Sequence, residues 1–121
     1  MAKKTIAIWS SLGGKNVIDE YCKISARDKA TKAKILATLE NLDKNGLEYL
    51  TTRTIEMPVR EIKVHNLRLF YMVYQEYIII LHIAKKEKNA TELPDKRLAI
   101  KRSKKVLKND SDFAITLFHS L

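Results

Sequence analysis

The chain of 121 residues has few of the residues from which several common sites are built. Its one cysteine, Cys22, can form no internal disulfide, and it excludes a zinc site made of cysteines. The pair Gly13-Gly14 lacks the spacing of a Walker or dinucleotide-binding loop. The three histidines lie far apart in sequence, and acidic residues are too few in the basic half of the chain for a two-metal nuclease site. The sequence therefore predicts no metal and no cofactor.

Long apolar segments are also absent. The most apolar stretch, residues 67–84, is interrupted by Arg68, Gln75 and Glu76, so it predicts two strands and not a membrane span. Residues 1–4 lead into only five apolar-leaning residues, which does not predict a secretory signal. Together with the single cysteine, these features predict a cytoplasmic protein with no membrane partner.

Positive charge is what the chain has in excess, with a formal net charge of +9 at pH 7. Residues 1–59 carry ten Lys and Arg against seven Asp and Glu, a net of +3. Residues 60–108 carry thirteen against five, a net of +8, and residues 109–121 have a net of −2. A basic half of this kind is typical of a nucleic-acid-binding protein, although a basic surface with no specific partner is the alternative.

The length and the apolar content of 45% predict one globular α+β domain over residues 1–121. Residues 5–9 form a candidate first strand. Asn16 can cap a short helix, and a longer helix stops at Asn45-Gly46. We expect these two helices to pair and to cover one side of a small sheet.

The sheet itself is predicted mainly from the second half of the chain. A meander of three strands is expected after Pro58, over residues 59–64, 67–74 and 77–84. Residues 51–56 are expected to be extended, and residues 113–121 to pack as a last helical turn or strand. Thr91 is expected to cap a third, basic helix that runs to about Lys108. The sheet is therefore predicted to be small and mostly antiparallel, formed by the first strand and the meander.

The meander is predicted to have one apolar and one basic face, since side chains alternate along a strand. Two-residue hairpin loops would set Lys63 opposite Arg68, and Arg68 opposite Ile83. The first face then holds Glu61, Lys63, Arg68, Phe70, Tyr74, Ile83 and Lys85. The second face holds Ile62, Leu67, Leu69, Tyr71, Val73, Ile78, Ile80 and His82. Because the second face is more apolar, we expect the helices to cover it and the first face to be open; a bulge near His82 would change the face of that residue.

Three side chains of the meander are candidates for chemistry. A lone arginine such as Arg68 is costly to bury unpaired, so we expect it on a face open to solvent or ligand. The alternative is an ion pair of Arg68 with Glu61 or Glu76. His82 and Tyr71 could act in catalysis, but both fall on the apolar face, where a hydrogen-bonded buried histidine and a core tyrosine are the alternatives.

The predicted third helix carries seven cations in thirteen residues: Lys96, Arg97, Lys101, Arg102, Lys104, Lys105 and Lys108. They spread around the helix without forming one stripe, and phosphate contacts and simple solvation both stay open. His119 is either a further acid or base or a plain terminal histidine. A nuclease built from these residues would be metal-independent, with the RNA 2′-hydroxyl as nucleophile, a general acid and base, and cations that stabilise the phosphate charge.

The order of strand, two helices, three strands and basic helix resembles the RelE/HigB superfamily of toxins from bacterial toxin–antitoxin modules, in its phage-derived HigB-like branch. The matching motifs are Glu61-Ile62-Lys63, Arg68-Leu69-Phe70-Tyr71, Ile80-Leu81-His82, Lys85-Lys86, Thr91, and Ala99 with Arg102. The resemblance covers about residues 16–105. It implies a RelE-like fold and an endoribonuclease that cuts mRNA on the ribosome and is neutralised by a small antitoxin.

The same resemblance implies roles for individual residues. Arg68 would stabilise the scissile phosphate, and His82 would be the acid or base, with His119 a weaker candidate. The implied catalytic residues are Arg68, His82, Lys85, Lys86 and His119. With the cations of the third helix added, the predicted RNA-binding residues are Lys63, Arg68, Lys85, Lys86, Lys88, Arg97, Lys101 and Arg102.

Three departures from the family pattern leave a second hypothesis open. Lys63 stands where the family has arginine, which keeps the charge but loses bidentate geometry. The aromatic residue expected before the Lys pair is Ala84 or absent, and proline does not directly follow Thr91. The alternative function is therefore a non-catalytic protein of the same fold, either a gyrase-directed toxin or a degenerate relative that only binds nucleic acid or protein.

Overall fold

The structure, a computed structural model, describes residues 4–24, 29–85 and 93–121, and of residues 23 and 24 it describes the backbone alone. The predicted α+β class is confirmed. The helices are α1 (Val17–Ile24), α2 (Lys29–Asn45) and α3 (Leu93–Lys108). The strands are β1 (Thr5–Ser11), β2 (Thr51–Glu56), β3 (Val59–Val64), β4 (Leu67–Tyr74), β5 (Tyr77–Lys85) and β6 (Phe113–Leu117). Short 3₁₀ turns cover Leu47–Tyr49 and Phe118–Ser120.

The helix ends follow the local chemistry that the sequence predicts. The side-chain Oδ1 of Asn16 accepts a hydrogen bond of 3.0 Å from the backbone N–H of Asp19, which satisfies one of the free donors at the start of α1. Helix α2 ends at Asn45, and Gly46 follows with φ of 78°, a conformation that glycine adopts without steric cost. Both predicted boundaries are confirmed.

The sheet has six strands in the order β2-β3-β4-β5-β1-β6. The meander is confirmed, residues 51–56 are extended as expected, and residues 113–117 form an edge strand on β1. Strand β1 pairs in parallel with β5, and every other pair is antiparallel. On the β6 side of β1, the Trp9 and Phe113 rings stack with centroids 6.4 Å apart.

A β-bulge in β5 changes the predicted faces of the sheet. Lys63 lies opposite Arg68, as predicted, but Arg68 lies opposite Ala84, so its predicted pairing with Ile83 was wrong. Phe70 pairs with His82 whereas the next residue, Tyr71, pairs with Ile80. One extra residue, Leu81, is therefore accommodated in β5. From His82 onward the side chains of β5 lie on the face opposite to the one that strict alternation predicts.

The prediction that one face of the meander is open was also wrong. Helix α3 packs on β3, β4 and β5, on the face that carries Arg68, Phe70 and His82. Helices α1 and α2 pack against each other and against β1, and α1 also packs on β5. Residues 67–72 of β4 are all buried, which a strand shows when both of its faces are covered. None of the helices among the described residues has the length and apolar content needed to cross a bilayer.

Candidate functional site

His82 and Asp95 form a close pair where β5 meets the first turn of α3. The Nε2 atom of His82 donates a hydrogen bond of 2.7 Å to carboxylate Oδ1 of Asp95. The imidazole also stacks on Phe70, with ring centroids 5.7 Å apart. The His82 side chain is 17% exposed and that of Asp95 is 28% exposed. With its Nε2 proton held by a carboxylate, the neutral ring has Nδ1 as its proton acceptor, which is the form that a general base requires.

The surroundings of His82 favour this neutral form. Burial lowers the pKa of His82 below its usual value of 6.5, and the positive charge of Arg102 lowers it further. The hydrogen bond and negative charge of Asp95, and the charge of Glu20, raise the pKa of His82, but burial is the largest effect. The imidazole is therefore mainly uncharged at pH 7 and can accept a proton.

A small cavity of about 50 Å³ lies beside His82, lined also by Val17, Glu20, Tyr21, Ile83 and Arg102. This volume has room for a few water molecules but not for a nucleobase. This cavity therefore cannot hold a base beside His82.

Arg102 is buried between α3 and the sheet. Its Nη1 donates a hydrogen bond of 2.7 Å to the backbone carbonyl of Leu81, the extra residue of the bulge. Its guanidinium carbon lies 4.3 Å from the centre of the Trp9 ring, a cation–π geometry. With only 7% of its surface exposed, Arg102 does not present its charge to solvent, and its predicted RNA contact stays a prediction without support from this geometry.

Arg68 is likewise buried and held by the protein itself. Its Nη1 donates to the backbone carbonyls of Leu67 at 2.8 Å and His65 at 3.0 Å. Its Nε lies 3.9 Å from the carboxylate of Glu61, which Arg53 also approaches at 2.8 Å. The guanidinium that the family resemblance assigns to the scissile phosphate therefore faces inward, next to the carboxylate suggested as its alternative partner.

The lysines at this end of the sheet are placed differently. Lys63 is exposed on the same face as Arg68, its cross-strand neighbour. Lys85 is exposed at the end of β5, opposite Leu67, so the bulge places it on the other face from the one predicted. The remaining predicted cations of this region, Lys86 and Lys88, and the predicted helix cap, Thr91, lie outside the described residues.

The cations of helix α3 differ in their exposure to solvent. Arg97, Lys101, Lys104 and Lys108 are exposed, and their spacing of four, three and four residues places them in one stripe about 16 Å long. The opposite side of the helix is buried and contains Ala99, Arg102, Ser103 and Val106. The expectation that the cations form no single stripe was wrong for the exposed ones, because part of the helix surface is buried against the sheet.

The other candidates lie apart from the His82–Asp95 pair. His119 is 69% exposed, and its Nε2 is 3.1 Å from the Asp43 carboxylate of α2. The neighbouring Phe118 lines a second cavity, of about 420 Å³, whose lining includes α1 and α2 residues but none of the residues around His82. Tyr71 lies on the core-side face that was predicted, and burial raises its pKa above the usual range.

Sequence reasoning missed Asp95 as the partner of His82. The two residues are 13 positions apart, and only the packing of α3 on the sheet brings them together. The signal in the sequence was weak: Asp95 is the one acidic residue in a helix of 16 residues. Within the described parts of the chain, no group of three or more His, Cys, Asp or Glu side chains is placed to hold a metal ion.

Comparison with known protein families matches most of the chain to one of them. The family model described as phage-derived protein Gp49-like matches residues 23–104, which is 82 of the 121 residues. The match includes the whole meander, His82, Asp95 and Arg102. None of the curated proteins compared with the chain matches it.

Proposed function

The chain belongs to the family of phage-derived Gp49-like proteins, which is associated with RelE-like toxins, and from this premise we propose that it is the toxin of a toxin–antitoxin module. In this proposal it is a HigB-like, cytoplasmic and metal-independent endoribonuclease that cuts mRNA on the ribosome. Its partners are mRNA, the ribosome and a cognate antitoxin protein that neutralises it.

The observation that carries the proposal is the His82–Asp95 pair. His82, neutral and oriented by Asp95, would take the proton of an RNA 2′-hydroxyl. The 2′-oxygen then attacks the neighbouring phosphorus, the bond from phosphorus to the 5′-oxygen breaks, and a general acid gives that oxygen a proton. The products are a 2′,3′-cyclic phosphate and a free 5′-hydroxyl, and no metal takes part.

The cations of the proposed site differ in part from those expected at first. Because the Arg68 guanidinium is turned inward and Lys85 lies on the opposite face of the sheet from His82, Lys63, which is exposed on the His82 face, is the described lysine of the meander that would stabilise the extra phosphate charge. The roles of Lys85 and Lys86 stay predictions. The exposed stripe of α3 would hold the RNA backbone, since phosphate contacts need charge but no base recognition.

A cell-free translation reaction with purified protein tests the proposal, with cuts in the message mapped by primer extension. We expect new cuts that need ribosomes in the wild type. His82→Gln and Asp95→Asn should lower the cleavage rate by about 100-fold or more, the usual contribution of a general base. His65→Asn is the matched control: it removes another histidine, and asparagine tolerates the positive φ of 51° at that turn.

Equal cleavage by wild type and His82→Gln would exclude His82 as the base. Cleavage without ribosomes would retain the nuclease but remove the ribosome from the proposal. The antitoxin is tested separately, by asking whether the product of an adjacent gene binds the protein and restores growth.

A second candidate function is a non-catalytic toxin or binding protein of the same fold. The inward-facing guanidinium of Arg68 favours it, because the family's phosphate-stabilising arginine is then not presented to a substrate. Intact message with normal translation would support this candidate, and inhibition of gyrase supercoiling would be the next assay.

A further inference from the structure

The bulge in β5 decides where His82 lies. Without it, continuous pairing from the Gln75-Glu76 turn would set Leu81 opposite Phe70 and His82 opposite Leu69. His82 would then lie on the sheet face opposite to α3. With the bulge, His82 is paired with Phe70 and reaches Asp95.

A bulge disturbs the ladder of backbone hydrogen bonds around its extra residue, and a buried carbonyl left without a donor costs about 1–3 kcal/mol. Leu81 is fully buried, so water cannot supply that donor. The guanidinium of Arg102 does supply a donor, at 2.7 Å from the Leu81 oxygen. Arg102 thereby stabilises the bulged pairing against the continuous one.

Helix α3 holds two consecutive residues of β5. Asp95 binds the ring of His82, and Arg102 binds the carbonyl of Leu81. The two side chains are seven residues apart, which is two turns, so they lie on the same side of the helix about 10 Å from each other. One rigid element therefore sets both the backbone and the side chain of the candidate base.

Packing against Trp9 alone does not explain why an arginine is buried at position 102. Its Nε is buried and has no hydrogen-bond partner among the described residues, and burial lowers the pKa of Arg102 more than the negative charge of Glu20 raises it. An apolar side chain on the Trp9 ring would avoid the cost of removing this charge from water. An unsatisfied buried donor of this kind calls for another explanation, and the need of the bulge for a strong donor supplies one.

From these observations we propose that Arg102 is a positioning residue: it locks the β-bulge at Leu81 and so keeps His82 on the α3 face, beside Asp95. The proposal rests on the proposed function for its purpose, since His82 is the base there. It assigns Arg102 no contact with RNA.

The test compares Arg102→Met with Arg102→Lys by NMR and by cleavage assay. Methionine keeps an apolar stem over Trp9 but has no donor, whereas lysine keeps a donor that can reach the Leu81 carbonyl. The readout of position is the nuclear Overhauser effect between the rings of His82 and Phe70, which stack in the wild type. Lys34→Met, which removes an exposed cation from α2, is the control for loss of charge.

We expect Arg102→Met to lose the His82–Phe70 effect and Arg102→Lys and Lys34→Met to retain it. The cleavage rate of Arg102→Met should fall by about 100-fold, as for loss of the base, while its affinity for RNA stays within about twofold of the wild type. A reduced RNA affinity with an unchanged His82–Phe70 effect would instead make Arg102 an RNA contact and overturn the proposal.

Two further outcomes keep the test decisive. If Arg102→Met does not fold, a folded Arg102→Lys that has lost the His82–Phe70 effect would refute the idea that a donor at this position holds the bulge. If the wild type cleaves no RNA but the NMR results are as expected, the proposed function is wrong, while the role of Arg102 in holding the β-bulge is supported.

Discussion

Arg68→Ala separates a structural arginine from a phosphate-binding one. The side chain is 9% exposed and donates to two backbone carbonyls, so the substitution removes two hydrogen bonds from a charged donor. Each such bond contributes about 1.5–3 kcal/mol. Removing the Arg68 charge from beside the Glu61 carboxylate costs less than the two hydrogen bonds, because Arg53 remains 2.8 Å from that carboxylate. We expect the free energy of unfolding to fall by about 3 kcal/mol.

The matched control is Lys63→Ala. Lys63 lies directly opposite Arg68 on β3, but it is exposed, and surface substitutions of this kind change stability by about 0.5 kcal/mol or less. The two variants therefore remove one cation each from neighbouring positions, one buried and one exposed.

Urea unfolding followed by circular dichroism measures the difference. With a slope of about 1.5–2 kcal/mol per M, the midpoint of Arg68→Ala should shift down by about 1.5–2 M and that of Lys63→Ala hardly at all. Where Arg68→Ala is still folded, it should still cut RNA. An unshifted midpoint with abolished cleavage would refute this reasoning and return Arg68 to the scissile phosphate.

Two further predictions concern the exposed stripe of α3 and the titration of His82. The double variant Lys101→Gln/Lys104→Gln should bind single-stranded RNA with a plot of log K against log salt whose slope is smaller by about 1.4 than that of the wild type. The control Lys29→Gln/Lys34→Gln removes two exposed lysines of α2 and should leave the slope unchanged. Equal slopes for the two double variants would rule out the stripe as the RNA contact. Because the pKa of His82 in the folded protein lies below 6.5, the unfolded chain binds this proton first as the pH drops. The free energy of unfolding should therefore decrease as the pH is lowered through about 6.5. In His82→Gln this part of the decrease should disappear from urea midpoints measured across the pH range, and an identical pH dependence in both proteins would contradict the buried neutral imidazole.

The order of the elements could be predicted from the sequence because local signals agree with the fold. Asn16 is a strong cap, Gly46 a strong stop, and the two-residue loop at His65-Asn66 fixes the pairing of Lys63 with Arg68. In each case the information lies within a few residues of the feature that it sets.

The position of His82 could not be predicted in the same way. Residues 78–81 are all apolar and all buried, so neither alternation nor hydrophobicity distinguishes the bulged pairing from the continuous one. The choice is made by Arg102, which is 21 residues further along the chain than Leu81.

The packing of helix α3 on the basic face of the meander could not be predicted for a related reason. Seven of the sixteen residues of helix α3 are Lys or Arg, and its buried side includes small residues, Ala99 and Ser103, that carry little hydrophobic signal. The hydrophobic pattern of the buried side is therefore weak, and the site that the packing of this helix creates was missed with it.

The separation of His82 and Arg102 along the chain also sets a delay during synthesis. Ribosomes add about 5–20 residues per second, so Arg102 is made about 1–4 s after His82. During that interval β1, β4 and β5 already exist, but the donor for the Leu81 carbonyl does not. A nascent chain thus acquires its base in working position only after the ribosome has added the 20 residues that lead from His82 to Arg102. Under the proposed function, the protein would be harmless until that point to the ribosome that is making it.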